Sequence, residues 1–426
     1  MKTSLERTIL HELRTRRSVV GNAPVWQFYD DAEWRRALAW LDLSGLALYF
    51  HDRLKTSGPF DADSPIPSNV MERLDRNRAD NAARTVEMFD ELRTLRRVFA
   101  VAEVPHIVLK GATLAPDYCA DPALRTQYDH DFLVPSSALR RAEDALRDAG
   151  YRRKNPVGEH PVVYRRPEPA VRFAERSAAL YSPLLGRSVE LHTRLWDHSA
   201  DRIAFDLPED WFDRAVVRRY GDLEFAALCD EDGLIFQVLH ALHHILGNWC
   251  RLSIFFEIAR FLNRRFDDSR FWKRFLERAA PVRRLQAAAA VIFHLADRLF
   301  GAPLPPDVTA DLRTPAALAL WADRYGIVSA LSNFRSDKFS LFLHREFLDA
   351  NSDWTAVRRR RLFPIQRPHR LPGIVFQRGF SRLEKAWIDQ AHALRRMKFH
   401  ALAAARYALE YPRWAWLKRS AGRFTA

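Results

Sequence analysis

Cysteine is scarce in this 426-residue chain: Cys119, Cys229 and Cys250 stand far apart and form no Cys-x-x-Cys pair. An odd, scattered set excludes a disulfide framework and a thiolate zinc cluster, and it points to a reducing compartment. Long apolar runs are also lacking. The longest clean one, residues 287–293, falls well short of the roughly 20 residues that a membrane span needs. Residues 1–17 are charged throughout and have no apolar centre of the kind a secretory leader requires. Internal repeats and low-complexity segments are absent. A soluble, cytoplasmic protein is therefore expected.

Acidic charge is in deficit. Lys and Arg number 67 against 53 Asp and Glu, a net charge of +14. That favours anionic partners such as nucleoside triphosphates or nucleic acid; the plain alternative is arginine on solvated helix faces. Hydrophobic residues at 48% and charged residues at 28% are ordinary for a chain that buries a core.

Helical spacing dominates residues 1–100. Trp34, Leu38 and Leu41 recur on one face, as do Met88, Leu92, Leu95 and Phe99. Between them, residues 56–68 hold three prolines and a glycine and read as a loop. Asn69 and Glu72 have the spacing of a capping box. Residues 101–200 alternate strand-like and helical segments, with strands expected near 161–164, 171–173 and 188–195. From about 200 to the end the spacing reads as helical. A basic linker is expected at 358–372, including the arginine run 358–361, before a last pair of helices. The fold class is α+β.

The stretch 104–134, VPHIVLKGATLAPDYCADPALRTQYDHDFLV, organises the rest. An apolar strand ends at Lys110-Gly111, a short helix and a long loop follow, and a second strand opens with Asp129-His130-Asp131. Residues two apart on a strand share a face, so Asp129 and Asp131 project together. A hard divalent cation relieves their repulsion, and Mg²⁺ is typically held by one or two carboxylates plus substrate phosphates. Downstream, Val189 and Leu191 alternate with Glu190 and His192, which gives one apolar face and one bearing a carboxylate and an imidazole. Asp129, Asp131 and Glu190 together could hold two Mg²⁺ ions for in-line displacement at phosphorus. Gly111 lets backbone approach a phosphate, with Lys110 beside it. Arg125 could clamp a phosphate or pair with Asp121. His240 and His244 lie one helical turn apart, a spacing that can bind zinc, but no carboxylate sits between them as in His-Glu-x-x-His; core histidines are the better reading.

The order of strand, Gly, helix, Arg, Asp-x-Asp strand and a later acid resembles the nucleotidyltransferase superfamily of the polymerase-β type. More closely, VLKGATLAPDY, DPALR, DHDFLV and VELHTRLW resemble an uncharacterised bacterial nucleotidyltransferase family with Leu-Lys-Gly, Asp-x-Asp and Glu-Leu-His motifs, over about residues 85–260. The resemblance implies Asp129, Asp131 and Glu190 as catalytic metal ligands and Lys110-Gly111 as the triphosphate-binding turn. Three positions depart from the superfamily pattern. Ala112 stands where a phosphate-contacting Ser is usual, so Lys110 or the Thr113 hydroxyl is expected to take that contact. Glu190 replaces the usual Asp, and His130 replaces an aliphatic residue and should point away from the two aspartates.

The organisation this implies is a helical region at 1–100, a catalytic core with a small mixed sheet at 101–200, and a helical acceptor-side region with a basic tail at 201–426. The activity implied is Mg²⁺- or Mn²⁺-dependent transfer of a nucleoside monophosphate from an NTP, with ATP favoured, to an acceptor hydroxyl on a small molecule or protein, releasing pyrophosphate. Two alternatives remain at this point: a nucleic-acid-binding or nucleic-acid-modifying version of the fold, and a non-catalytic nucleotide-binding partner protein.

Overall fold

The computed structural model of the chain describes residues 4–15, 26–56, 66–167, 171–173, 180–312, 314–331, 337–363, 374–376 and 382–423. Most of the loop expected at 56–68 and of the linker expected at 358–372 lies outside them. Four helices come first: α1 (Leu5–Glu12), α2 (Asp31–Ser44), α3 (Ala47–Thr56) and the long α4 (Ser68–Val101). Strands β1 (Ile107–Leu109) and β2 (Asp129–Leu133) follow, then α5 (Leu139–Asp148), β3 (Arg152–Arg153), β4 (Val162–Arg165), β5 (Val171–Phe173), β6 (Ser188–His192), β7 (Val216–Tyr220) and β8 (Leu223–Ala227). The long helices after them are α6 (Asp230–Gly247), α7 (Leu252–Arg264), α8 (Ser269–Ala279) and α9 (Leu285–Phe300). A helical C-terminal region closes the chain, with β9 (Ile374–Phe376) paired to β5 in a separate two-stranded sheet.

Seven strands form one mixed sheet in the order β3-β4-β6-β2-β1-β8-β7. Strand β2 is central, antiparallel to β1 and parallel to β6. Side-chain alternation then sorts the two faces. Val108, Phe132, Val189 and Leu191 pack with Leu92, Leu95 and Phe99 of α4 and Ala142 and Leu146 of α5. Ile107, Leu109 and Leu133 face the other way, toward Phe236 of α6. Asp131 shares that second face, and so do Glu190 and His192. His130 faces α4, where it is buried and its Nε2 lies 3.2 Å from Glu91 Oε2.

Several sequence expectations need correction. Residues 216–227 are a β-hairpin inside the sheet, not helix: Gly221 at φ +58° and Asp222 make a two-residue turn between alternating strands, a pairing that favours hairpins. Helix α4 starts at Ser68 with Pro67 at its cap position and no side-chain cap, so Asn69 and Glu72 form no capping box. The arginine run at 358–361 belongs to helix Asn351–Leu362 rather than to a linker. The last element is one helix, Arg382–Arg423, that contains Pro412.

Helix α4 fixes the long loop that delivers β2. Its buried positions recur every three or four residues from Val70 to Phe99, but in the middle of that face they are Asn77, Asn81 and Arg84. Two of these polar groups, Asn81 and Arg84, meet loop carbonyls that no strand satisfies. Asn81 Nδ2 donates to Ala123 O at 2.8 Å, Arg84 Nε to Gln127 O at 2.8 Å, and Arg84 Nη1 to Ser182 O at 2.8 Å. Burial lowers the Arg84 pKa to about 10, so its hydrogen bonds hold a charge that the surroundings disfavour. Arg84→Met should therefore lower stability by about 3 kcal/mol, because it strands buried carbonyls. Arg84→Lys should recover little, since an ammonium lacks the planar fork. Chemical denaturation of the three proteins measures both effects.

Candidate active site

Three of the expected acids converge. In the β2–β6 register Asp131 lies opposite Glu190 and Asp129 opposite Ser188. Lys110, immediately after β1, sends Nζ to Asp131 Oδ1 at 2.9 Å. His192 Nε2 reaches the same oxygen at 3.0 Å and lies 3.8 Å from Glu190 Oε2. Asp131 Oδ1 thus has two partners, whereas the buried Oδ2 has no hydrogen bond.

The electrostatics follow from this crowding. Burial would raise the pKa of Asp131, but the Lys110 charge and the His192 hydrogen bond hold it well below the carboxylate range. Asp129 is pushed up by burial and by repulsion from Asp131. Glu190 is pushed up to about 8 by burial and by the charges of Asp129 and Asp131. Burial works against the Lys110 ammonium, yet the three carboxylates raise its pKa to about 12. Three acids thus crowd around the Lys110 ammonium, and Glu190 retains its proton at neutral pH.

The turn that carries Lys110 is strained. Lys110 has φ 53° and ψ −160°, a region that glycine tolerates and a side chain normally does not. Gly111 follows at φ +54°, and a Cβ there would overlap the Gln127 side-chain amide, which donates to Asp129 O at 2.9 Å. Only glycine fits. The helix after it is a four-residue 3₁₀ turn, Gly111–Leu114. Thr113 Oγ1 donates to Lys110 O at 3.0 Å, and Thr113 lines a cleft with Lys110, Arg218, Phe236 and Gln237.

Arg125 does not pair with Asp121, the protein-side option expected for it: Asp121 is bound by Arg78, and Arg125 Nε donates to Glu257 Oε1 at 3.1 Å. Tyr49 donates to the same Glu257 oxygen at 2.8 Å. The charge of Arg125 still acts on Asp129. On α6, Lys110 Nζ sits 5.8 Å from the Phe236 ring centre, and Phe236 stacks on His240. His240 and His244 face each other through Nε2 at 3.0 Å, while His244 Nδ1 reaches Trp249 O at 2.7 Å. His243 turns away to Asp201.

Residues 30–301 match the family model described as uncharacterised nucleotidyltransferase. The chain belongs to this uncharacterised nucleotidyltransferase family. No curated protein and no solved structure matches it. The nucleotidyltransferase match extends beyond the motif-bearing stretch: it takes in α2 to α4, the whole seven-stranded sheet and helices α6 to α9.

The donor set at this site suits a divalent cation. Asp131, Glu190 and His192 each offer a ligand atom within 4.8 Å of the others, the orphaned Asp131 Oδ2 needs a positive partner, and the like charges need neutralising. His192 is the residue that motif reading passed over as a ligand, although the Val-Glu-Leu-His alternation already put it on the face of Glu190. A cation must displace the Glu190 proton. Below pH 8, Mn²⁺ affinity should accordingly weaken by up to about tenfold per pH unit. In metal-free protein the sign is opposite for stability. Between the ordinary glutamate pKa and about 8 the native state holds a proton that the unfolded state has lost, so stability falls as pH rises through that window. Glu190→Gln should flatten the metal-free slope, as read by melting temperature in EDTA from pH 5 to 9.

Proposed function

We propose that this protein transfers a nucleoside monophosphate from an NTP, with ATP favoured, to an acceptor hydroxyl on a small molecule or protein. The observation that carries the reading is the pairing of Asp131 with Glu190 on adjacent parallel strands, beside a buried carboxylate oxygen that lacks a partner. Asp129, Asp131 and Glu190, with His192 as a further donor, would hold Mg²⁺ or Mn²⁺. Such an ion supplies neutralisation of the triphosphate charge and a lowered pKa for the acceptor hydroxyl.

The chain's own groups would do the rest. The Lys110-Gly111 turn would receive the triphosphate, with Nζ exchanging Asp131 for phosphate oxygens and Gly111 letting backbone approach closely. Thr113 would present its hydroxyl to the same group. Arg125, held by Glu257, would lend charge rather than a free fork. The acceptor oxygen forms its bond to the α-phosphorus as the bond from that phosphorus to pyrophosphate breaks, and the hydroxyl proton passes to solvent water. Positioning and electrostatic complementarity would supply most of the acceleration. Helix α6 would wall the acceptor side. Cys119 and Cys229, which form no disulfide, fit a reducing, cytoplasmic setting.

Incubation with α-labelled NTPs, Mg²⁺ or Mn²⁺ and a cell extract tests this. Label should enter a small-molecule or protein fraction with release of pyrophosphate, and Asp129→Asn/Asp131→Asn should reduce incorporation at least about a hundredfold. Label confined to polynucleotide would favour the nucleic-acid version of the fold. Nucleotide binding without turnover would favour a non-catalytic one.

A further inference from the structure

Helix Arg382–Arg423 is apolar on two opposite faces, and among the described residues only one of them is covered. Ala403, Tyr407 and Trp414 are buried, with Tyr407 and Trp414 stacked on Phe342 at ring-centre distances of 5.0 and 5.4 Å. The other face is bare. Trp387, Leu394, Leu402, Leu409 and Trp416 recur at intervals of seven or eight residues, so they fall within an arc of about 80°, roughly half a turn from the buried face. Trp387 is 71%, Leu409 81% and Trp416 61% exposed. The stripe is about 43 Å long at the helical rise.

Its charge is one-sided. From Leu394 to Arg423 the helix carries eight Lys and Arg residues and one acid, Glu410, which accepts from Tyr325 at 2.9 Å. Arg395, Lys398, Arg413 and Arg419 are exposed and lie in or beside the apolar arc. A second copy docked on this face would set those cations against their own kind. A polynucleotide would match the cations but leave the leucines between them unused. An acidic bilayer surface satisfies both: leucines enter the headgroup–acyl boundary, long basic side chains reach lipid phosphates, and a Trp stands near each end. Among the described residues no helix is long and apolar enough to cross a membrane, so the association would be interfacial.

We propose that this face of helix Arg382–Arg423 lies on the surface of a bilayer containing anionic phospholipid. Cosedimentation of the full chain with vesicles tests it, comparing phosphatidylcholine alone with a mixture about one-third phosphatidylglycerol. Binding should be at least about tenfold tighter on the acidic vesicles and should weaken with salt. Leu394→Glu/Leu409→Glu and Lys398→Glu/Arg419→Glu should each lower it at least about tenfold with an unchanged melting temperature, because all four residues are exposed. Equal binding to both vesicles, no binding, or binding that survives both double variants would overturn the proposal. So would lipid-free dimerisation abolished by the leucine variant, or polynucleotide binding, lost in the basic variant, without vesicle binding.

Discussion

Like charge at close quarters governs this molecule. Two parallel strands bring Asp129, Asp131 and Glu190 to one face of the sheet, with Asp131 and Glu190 directly opposite each other. Burial makes the repulsion matter, because the interior screens it less than water does. Without a bound cation the cluster is held by partial measures. Lys110 and His192 share one oxygen of Asp131, and Glu190 keeps a proton up to about pH 8. Such an arrangement is poor for stability and well suited to capturing positive charge.

The scaffold exists to impose that crowding. Helix α4 uses Asn81 and Arg84 to hold the carbonyls of the loop before β2. Tyr128, at the end of that loop, has the guanidinium groups of Arg84 and Arg251 at 5.1 and 5.4 Å from its ring centre. On the other side, the strained backbone at Lys110 aims its ammonium at Asp131, and Gln127 ties the Gly111 turn to the start of β2. Strain concentrated here, and compensated by the surrounding packing, is the pattern expected of a functional site.

Much of this was legible in the residues. The Asp-x-Asp spacing gave a shared face, the Val-Glu-Leu-His alternation gave another, and the family resemblance joined them. Adjacency of β2 and β6 was not legible, because 54 residues separate Leu133 from Val189's neighbour Ser188 and side-chain period says nothing of strand order. The protein partner of Arg125 is illegible for a similar reason: Glu257 lies 132 residues away. The hairpin at 216–227 was readable from its Gly-Asp turn but was absorbed into a long helical region. Helix spacing, by contrast, located the buried faces of α2 and α4 well, since every turn of a packed helix repeats the same signal.

The central claim is that Asp131 and Glu190 share a divalent cation. The most direct measurement is anomalous diffraction from crystals soaked in Mn²⁺ near pH 8, where the Glu190 proton competes less than at neutral pH. The account predicts an anomalous peak in contact with Asp131 Oδ2 and the Glu190 carboxylate, lost in Asp131→Asn. A crystal saturated with Mn²⁺ that shows no peak there, with Lys110 Nζ still paired to Asp131, would contradict it.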